Sequence, residues 1–340
     1  MYVHTAGISL SLDGDAICVR KDNSIVQRFP LVSVSGVVAF RRVGLSNALL
    51  IRLAEDGKTV FMLSGGGKVV CKMESPVGRS VPLRIQQFGI AASPDLSIVY
   101  AKKFVHSKVQ GQERELYRLS RSPAQKSKLL NINKARTALT EMLPMVSACT
   151  DVNTLMGWEG QAARIYFNTW GSTLRPIREN RPWITRSRRP PRSPEDALLS
   201  FAYTMLYQQT WGSVETAGLD PYIGFLHKPQ ASRAALALDL MEDLRPRIVD
   251  SWVSVICARR ELRVEHFESP DGLSFLLSDV GRGIFLRLWQ EHMDSTTKII
   301  GFKQAVPLRY LVAHRGKVLA KSIRDTTEYT PLFSKRIDAK

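Results

Sequence analysis

Apolar and polar residues alternate along the first part of the chain with the period of two that is typical of β-strands. The runs are short, rich in β-branched residues, and separated by turn signals such as Asp13-Gly14 and Asp56-Gly57. We interpret as strands the runs ISLSLD, AICVR, SIVQRF, VSGVVAF, ALLIRLA, TVFML and KVVCKM. This pattern predicts a small, antiparallel, β-sandwich-like domain over residues 1–88.

Beyond this domain the apolar residues recur every three to four positions, which is the spacing of an amphipathic helix. Ser93 and Ser193 are each followed by a proline, so each provides a capping hydroxyl and a residue suited to the first helical position. We expect a linker and helix start over residues 89–98 and a larger all-α domain over residues 99–340. The predicted fold class is therefore α+β.

Residues 218–245, GLDPYIGFLHKPQASRAALALDLMEDLR, combine a histidine with an acidic helix. His227 stands a short loop ahead of a helix whose leucines repeat every four residues, while Asp239 and Glu242 share a different face. Pro246 follows and has no N–H group, so a helix that continues past it should kink beside the acids. A histidine near carboxylates indicates a metal site. A solvated acidic face beside a buried histidine is the alternative, and these residues alone favour it.

The formal net charge of +17 indicates a polyanionic partner, because each phosphate neutralised by lysine or arginine releases counterions. A membrane surface is the competing polyanion. The sequence shows no apolar run of about 18 residues, no basic amphipathic anchor and no signal peptide, so we expect a cytoplasmic protein that binds no membrane. The cysteines are scattered without Cys-x-x-Cys spacing, which indicates neither a zinc knuckle nor a disulfide framework.

Positive charge is concentrated in two segments. Residues 175–192, RPIRENRPWITRSRRPPR, combine arginines with prolines, which predicts a mobile basic loop. Trp183 in this loop is available to stack on a base or to pack against the scaffold, and a solvated loop is the alternative reading. The helix after Ser93 carries a basic face that either follows a phosphate backbone or is simply solvated. The residues of this face are Lys102, Lys103, Lys108, Arg114, Arg118 and Arg121.

The block GLDPYIGFLH followed by LALDLMEDLRP resembles the signature of the CRISPR-associated adaptation integrase family, the larger, catalytic subunit of the spacer-acquisition complex. A second block typical of that family is matched by GWEGQAARIYFNTW at residues 157–170. Family members hold a metal with a glutamate of this block, the histidine of GFLH, and an acidic residue three positions after the aspartate of LALD. The resemblance therefore implies that Glu159, His227 and Glu242 are the metal ligands and catalytic residues.

Other residues of these blocks are candidates for supporting roles. Arg164 is a candidate phosphate contact, and Tyr166 provides either a positioning hydroxyl or a packed core aromatic ring. Asp239 is expected to orient Arg164 or Arg245, and Arg245 itself is suited to neutralise a phosphate oxygen.

Two carboxylates and an imidazole suit Mg²⁺ or Mn²⁺, and phosphodiester chemistry needs such a cation to stabilise negative charge. The resemblance implies a DNA endonuclease and integrase that inserts spacer DNA into a repeat array by attack of a 3′ hydroxyl on a phosphodiester. It also implies double-stranded DNA (protospacer and repeat array), a homodimer formed through the β domain, and a small ferredoxin-fold partner protein. The alternatives are a non-catalytic DNA-binding scaffold and a metal-dependent nuclease of DNA repair or transposition.

Overall fold

The structure is a computed structural model, and its described residues are 1–34, 36–65, 67, 69–73, 81–178, 183, 185–187, 189–231, 233–298, 302 and 304–333. The strands are β1 (Tyr2–Val3), β2 (Ile8–Asp13), β3 (Ala16–Lys21), β4 (Ser24–Pro30), β5 (Gly36–Phe40), β6 (Gly44–Leu45), β7 (Thr59–Leu63), β8 (Val69–Met73), β9 (Phe267–Glu268), β10 (Leu276–Leu277), β11 (Thr296–Thr297) and β12 (Val306–Pro307). The α-helices are α1 (Asn47–Glu55), α2 (Val81–Ala92), α3 (Pro94–Ser120), α4 (Leu129–Ala148), α5 (Val152–Thr173), α6 (Pro194–Thr216), α7 (Ala235–Glu242), α8 (Ser251–Arg259), α9 (Asp279–Asp294) and α10 (Leu308–Arg324).

The first compact unit comprises Met1–Gly78 and Leu277–Leu288. It contains two four-stranded sheets, with strand orders β1-β5-β7-β8 and β4-β3-β2-β6. Alternate residues of these strands face inward together with one side of α1, as the period-two pattern requires. The core they form includes Leu10, Ile17, Val37, Leu49, Leu53 and Val60.

The predicted antiparallel arrangement is only partly correct. β2, β3 and β4 pair antiparallel as expected, but β1 with β5 and β5 with β7 run parallel. The run ALLIRLA, predicted as a strand, is α1, and it provides the crossover that parallel neighbours need. Ser46 caps this helix by accepting the N–H of Leu49 at 3.3 Å. Leu49 and Leu53, four apart, then face the core, so the run has helical rather than strand spacing.

The second compact unit comprises Arg79–Leu276 and Trp289–Lys340 and is predominantly helical, which confirms the predicted α+β class. Its longest helix, α3, packs against α4, α5 and α7. The predicted start of α3 is confirmed, because the Ser93 hydroxyl accepts the N–H of Leu96 at 3.4 Å and Pro94 is the first helical residue. The segment 89–98, expected to hold a linker and a helix start, contains the end of α2, Ser93 and the start of α3.

The regular α-helix is interrupted at Pro246, where the sequence predicts a kink. A π-helical turn, Pro246–Asp250, stands between α7 and α8, because the proline lacks the N–H group that a regular helix would use there. The carbonyl oxygen of Ile248 in this turn lies 2.8 Å from Nε2 of His292. Within the part of the chain that the structure describes, no helix is long and apolar enough to span a membrane.

Candidate active site

Asp239 of α7 organises the loop that carries His227. Its fully buried carboxylate accepts the backbone N–H groups of Phe225, Leu226 and His227 at 2.6, 2.9 and 2.9 Å. Oδ1 also lies 2.7 Å from Nδ1 of His227, which fixes the ring and leaves Nε2 as its remaining ligand atom. Gly224 makes this approach possible, since a Cβ there would lie 2.7 Å from Oδ2 of Asp239.

Glu159 of α5 and Glu242 of α7 meet around the ammonium group of Lys108 of α3. Nζ of Lys108 lies 2.7 Å from Oε2 of Glu242 and also contacts Oε1 of Glu159. The side chains of Lys108 and Glu242 are only 4% and 3% exposed, whereas that of Glu159 is 23% exposed. Lysine is almost never buried unless it is paired, so the three helices close on one cation shared by two carboxylates.

Arg245 brings a second positive charge to the site. Its NH1 lies 3.0 Å from Oε1 of Glu242, and its guanidinium stands 4.9 Å from the centre of the Tyr203 ring. Burial alone would raise the pKa of Glu242, but the positive charges of Arg245 and Lys108 outweigh burial and lower that pKa below its ordinary value. Glu242 is therefore ionised at neutral pH, as a metal ligand must be.

The site is held together by a lysine. Within the described residues, no group of three or more His, Cys, Asp or Glu side chains is gathered closely enough to hold a metal ion. The donor set still suits a divalent cation, because Glu159 and Glu242 already share one cation and His227 is fixed through Nδ1. Oε2 of Glu242 is buried and, although Nζ of Lys108 is close, it accepts no hydrogen bond of good geometry.

The structure corrects the expected role of Asp239. We expected it to orient Arg164 or Arg245, but both of its oxygens bind the 225–227 loop, so it orients His227. Arg245 is held by Glu242 instead. The error has a physical cause: residues three apart on a helix share a face, yet the spacing says nothing about which other element covers that face.

Tyr166 is a core aromatic residue, the second of its two expected roles. It is fully buried, and its ring centre lies 5.0 Å from that of Phe167 and 6.2 Å from that of Trp170. A phosphate cannot reach a hydroxyl in this position without opening the core. Arg164 on the same helix is exposed, as a phosphate contact requires.

The predicted basic face of α3 is divided between several partners. Lys108 belongs to the site, and Arg118 lies 2.6 Å from Oε1 of Glu115. Lys103 pairs with the exposed Glu328. These three side chains are already paired with carboxylates of the protein, so the face is not the continuous phosphate track that the sequence allowed.

The basic loop packs against the scaffold where it is described. Residues 179–182, 184 and 188 of the predicted loop lie outside the described residues. Trp183 is buried and donates its indole N–H to Oδ1 of Asp196 at 3.1 Å, which Arg186 also contacts at 3.0 Å. Its ring lies on Gly171, where a Cβ would overlap it. Trp183 therefore packs on the protein, the second of its two expected roles.

Asp243, to which the sequence analysis gave no role, fixes the C-terminal segment to α7. Its fully buried carboxylate accepts from Nε of Arg315 at 3.1 Å, from the hydroxyl of Tyr329 at 3.1 Å and from the N–H of Leu332 at 2.8 Å. The hydroxyl of Ser107 on α3 binds the same carboxylate. The partners on the C-terminal side lie 72 to 89 residues away along the chain, so no local pattern could reveal them.

Asp250 is a buried carboxyl group that adjoins Arg245 through Tyr203. The Tyr203 hydroxyl donates to Oδ1 of Asp250, and the Tyr203 ring carries the Arg245 guanidinium on its face. Burial raises the pKa of Asp250 to about 7, although the hydrogen bond from Tyr203 acts in the opposite direction.

The whole chain is similar to proteins of one family. The family model of CRISPR associated protein Cas1 matches residues 1–291. The chain is 35% identical over 342 residues to CRISPR-associated endonuclease Cas1 2 of Rhodospirillum rubrum, with 98% of each chain covered. It is 29% identical over 335 residues to CRISPR-associated endonuclease Cas1 1 of Chlorobaculum tepidum, with 98% of this chain and 97% of the relative covered.

Solved structures show the same fold. A casposase bound to an integration product has a TM-score of 0.83 at 19% identity, and the match covers 100% of this chain and 96% of the casposase chain. A Cas1 protein from Thermotoga maritima has a TM-score of 0.78 at 21% identity, and the match covers 95% of this chain and 96% of the Thermotoga chain. Since the family model also spans most of the sequence, the chain belongs to the Cas1 family of CRISPR-associated proteins.

Proposed function

We propose that this chain is the catalytic subunit of CRISPR adaptation, a DNA endonuclease and integrase that inserts spacer DNA into a repeat array. The observation that carries the proposal is the meeting of Glu159 and Glu242 around one buried cation, together with the fixing of the His227 ring by Asp239 of the same helix as Glu242. The net charge of +17 supports a polyanionic substrate, and the curated relatives are named endonucleases. Carboxylates and an imidazole are the groups that metal-dependent phosphodiester chemistry uses.

Glu159, Glu242 and Nε2 of His227 would hold a Mg²⁺ or Mn²⁺ ion, which supplies charge stabilisation at the phosphorus and lowers the pKa of the attacking hydroxyl. The 3′ oxygen of the incoming strand then forms a bond to the target phosphorus while the bond from phosphorus to the target 3′ oxygen breaks. The attacking hydroxyl loses its proton, and the leaving oxygen gains one. Asp239 would accept a proton on Nδ1 of His227, which turns Nε2 of the neutral ring away from Asp239 and toward its ligand role.

The proposed substrates are double-stranded protospacer DNA and the repeat array. The proposed assembly is a homodimer formed through the β domain, joined by a small ferredoxin-fold partner protein. A solved Cas6-RT-Cas1–Cas2 complex supports assembly with a partner protein, since it contains a chain of the same fold with a TM-score of 0.79 at 21% identity. The present chain covers 36% of that chain, so the likeness concerns the Cas1-like part.

A strand-transfer assay tests the proposal. The full chain, with and without its small partner, is mixed with a short duplex bearing free 3′ hydroxyls and a supercoiled plasmid bearing repeats, in Mg²⁺, Mn²⁺ or EDTA. We expect metal-dependent joining that is lost in Glu159→Gln and His227→Ala, because each change removes a ligand. Glu141→Gln and His266→Ala are matched controls outside the site and should join DNA like the unmodified protein.

Two results would contradict the proposal. If His227→Ala and Glu159→Gln join DNA at the unmodified rate, the assigned residues do not perform the chemistry. If the chain binds DNA tightly but neither nicks nor joins it in any metal with the partner present, the non-catalytic scaffold is the better function.

A further inference from the structure

Lys108 stands where the proposed function places a metal ion. Its Nζ lies 2.7 Å from Oε2 of Glu242 and contacts Oε1 of Glu159, and its side chain is 4% exposed. It reaches this point from the middle of α3, between Ser107, which binds Asp243, and the buried Val109. The lysine is therefore built into the site and is not a surface side chain that happens to fold over it.

The charges of Glu159 and Glu242 are balanced without a metal. Glu159 and Glu242 bring two negative charges, and Lys108 and Arg245 bring two positive charges within hydrogen-bonding distance of them. A divalent cation added to this group while Lys108 stays would leave two surplus positive charges in a poorly solvated place. Either the lysine must leave the carboxylates or a further anion must enter.

We propose that Lys108 is the resident counter-ion of the site and couples metal binding to DNA binding. It holds Glu159 and Glu242 in place while no metal is bound, withdraws when a divalent cation binds, and then pairs with a DNA phosphate oxygen. Glu159 is the most exposed of the three side chains, at 23%, so the ammonium can move toward solvent on that side. Lys108 is a positioning residue in this scheme, and the inference rests on the proposed metal site.

One consequence is a reciprocal dependence between the two ligands. A phosphate that attracts Lys108 away from the carboxylates leaves them free for a metal, and a metal that binds them leaves Lys108 free for a phosphate. Because coupling between two binding equilibria is symmetric, DNA should tighten metal binding by the same factor by which metal tightens DNA binding. Metal binding to the protein alone should be weak.

The test is Mn²⁺ binding to the full chain without DNA, measured by electron paramagnetic resonance of free Mn²⁺. We expect Lys108→Met to bind Mn²⁺ at least about tenfold more tightly than the unmodified protein, because the competing charge at about 3–4 Å is gone. Lys108→Arg keeps the charge and should bind as weakly as the unmodified protein. Lys103→Met, on the same helix and paired with the exposed Glu328, is the matched control and should not change binding.

Two further readouts distinguish a counter-ion from an ordinary structural ion pair. Without metal, Lys108→Met should melt at a lower temperature, since the buried Glu242 and the partly exposed Glu159 lose their shared partner. Mn²⁺ should then raise the melting temperature of Lys108→Met more than that of the unmodified protein. A short DNA duplex should tighten Mn²⁺ binding to the unmodified protein, and its effect on Mn²⁺ binding to Lys108→Met should be much smaller.

The outcomes separate this inference from the function on which it rests. If Glu242→Gln abolishes Mn²⁺ binding but Lys108→Met binds no more tightly than the unmodified protein, the metal site stands and the counter-ion role is overturned. If neither the unmodified protein nor any variant binds Mn²⁺, with or without DNA, the proposed metal site fails and the inference fails with it.

Discussion

Replacing Asp239 with asparagine removes one negative oxygen from the residue on which the His227 loop depends. In the native protein Oδ2 accepts hydrogen bonds from the N–H groups of Phe225 and Leu226. Oδ1 accepts one from the backbone N–H of His227 and is bonded to the Nδ1 atom of its ring. The amide NH₂ of asparagine is a donor, so it meets the N–H groups of Phe225 and Leu226 if it replaces Oδ2, and at least the backbone N–H of His227 if it replaces Oδ1. The variant Asp239→Asn therefore cannot satisfy the loop in either orientation.

The expected cost follows from the number and kind of these bonds. Hydrogen bonds to charged groups contribute about 1.5–3 kcal/mol each, and Asp239 is fully buried, so losing one or two of them should lower the unfolding free energy by about 1.5–6 kcal/mol. Loss of the contact to Nδ1 also frees the His227 ring to turn. Changes at the residue that orients a ligating histidine typically reduce metal affinity about 10–100-fold, so Mn²⁺ binding should weaken by a factor in that range.

Tryptophan fluorescence suits this measurement, because all six tryptophans lie in the second compact unit, which contains the site. Urea unfolding of the full chain followed in this way reports that unit. Asp271→Asn is the matched control: Asp271 also accepts two backbone N–H groups, but in an exposed turn where water replaces them, so its effect should be small. An unfolding free energy for Asp239→Asn within about 1 kcal/mol of the unmodified protein would refute the reasoning.

Two other substitutions probe the same unit with the same fluorescence assay. Gly224→Ala places a Cβ 2.7 Å from Oδ2 of Asp239 and should destabilise the protein by about 1–3 kcal/mol, whereas Gly89→Ala, a helix position where a Cβ has nothing within 4 Å, should stabilise it slightly. Equal effects of the two alanines would contradict the crowding argument. The raised pKa of Asp250, about 7 against an ordinary value of 3.8, means that the native state keeps a proton which the unfolded state releases. Stability should therefore fall as pH rises from about 4 to 7, by up to about 4 kcal/mol, and Asp250→Asn should flatten that fall; parallel pH curves for the two proteins would count against it.

The features that the sequence predicted correctly are those that local chemistry determines. Ser93 and Ser193 cap their helices because a hydroxyl and a following proline act within one turn. Pro246 interrupts its helix because it lacks an N–H group, wherever the neighbouring elements lie. The run ALLIRLA was predicted incorrectly because a short apolar run fits a strand and a buried helix equally well, and only the crossover between β5 and β7 decides between them.

The errors at the candidate site concern burial, which depends on distant parts of the chain. The acidic face of α7 was expected to be solvated on its residues alone, yet Asp239 and Glu242 are both buried. Lys108 was assigned to a basic surface because helical spacing identifies a face without showing what covers it. Helix α5 covers the face of α3 that carries Lys108 and brings Glu159 to it, although Glu159 lies 51 residues after Lys108 in the chain.

The three acids of α7 and its C-terminus, Asp239, Glu242 and Asp243, show how a short helix can be both highly charged and buried. Each is buried, and each binds a different part of the chain: Asp239 the loop before the helix, Asp243 the C-terminal segment, and Glu242 the lysine of α3. Asp239 and Asp243 have their oxygens occupied by protein donors, so they can hold the helix but not a ligand. Glu242 is bound by side chains, Lys108 and Arg245, that have the length to move. Of these three acids, Glu242 is therefore the one that can exchange its partners for a metal while the other two keep the helix in place.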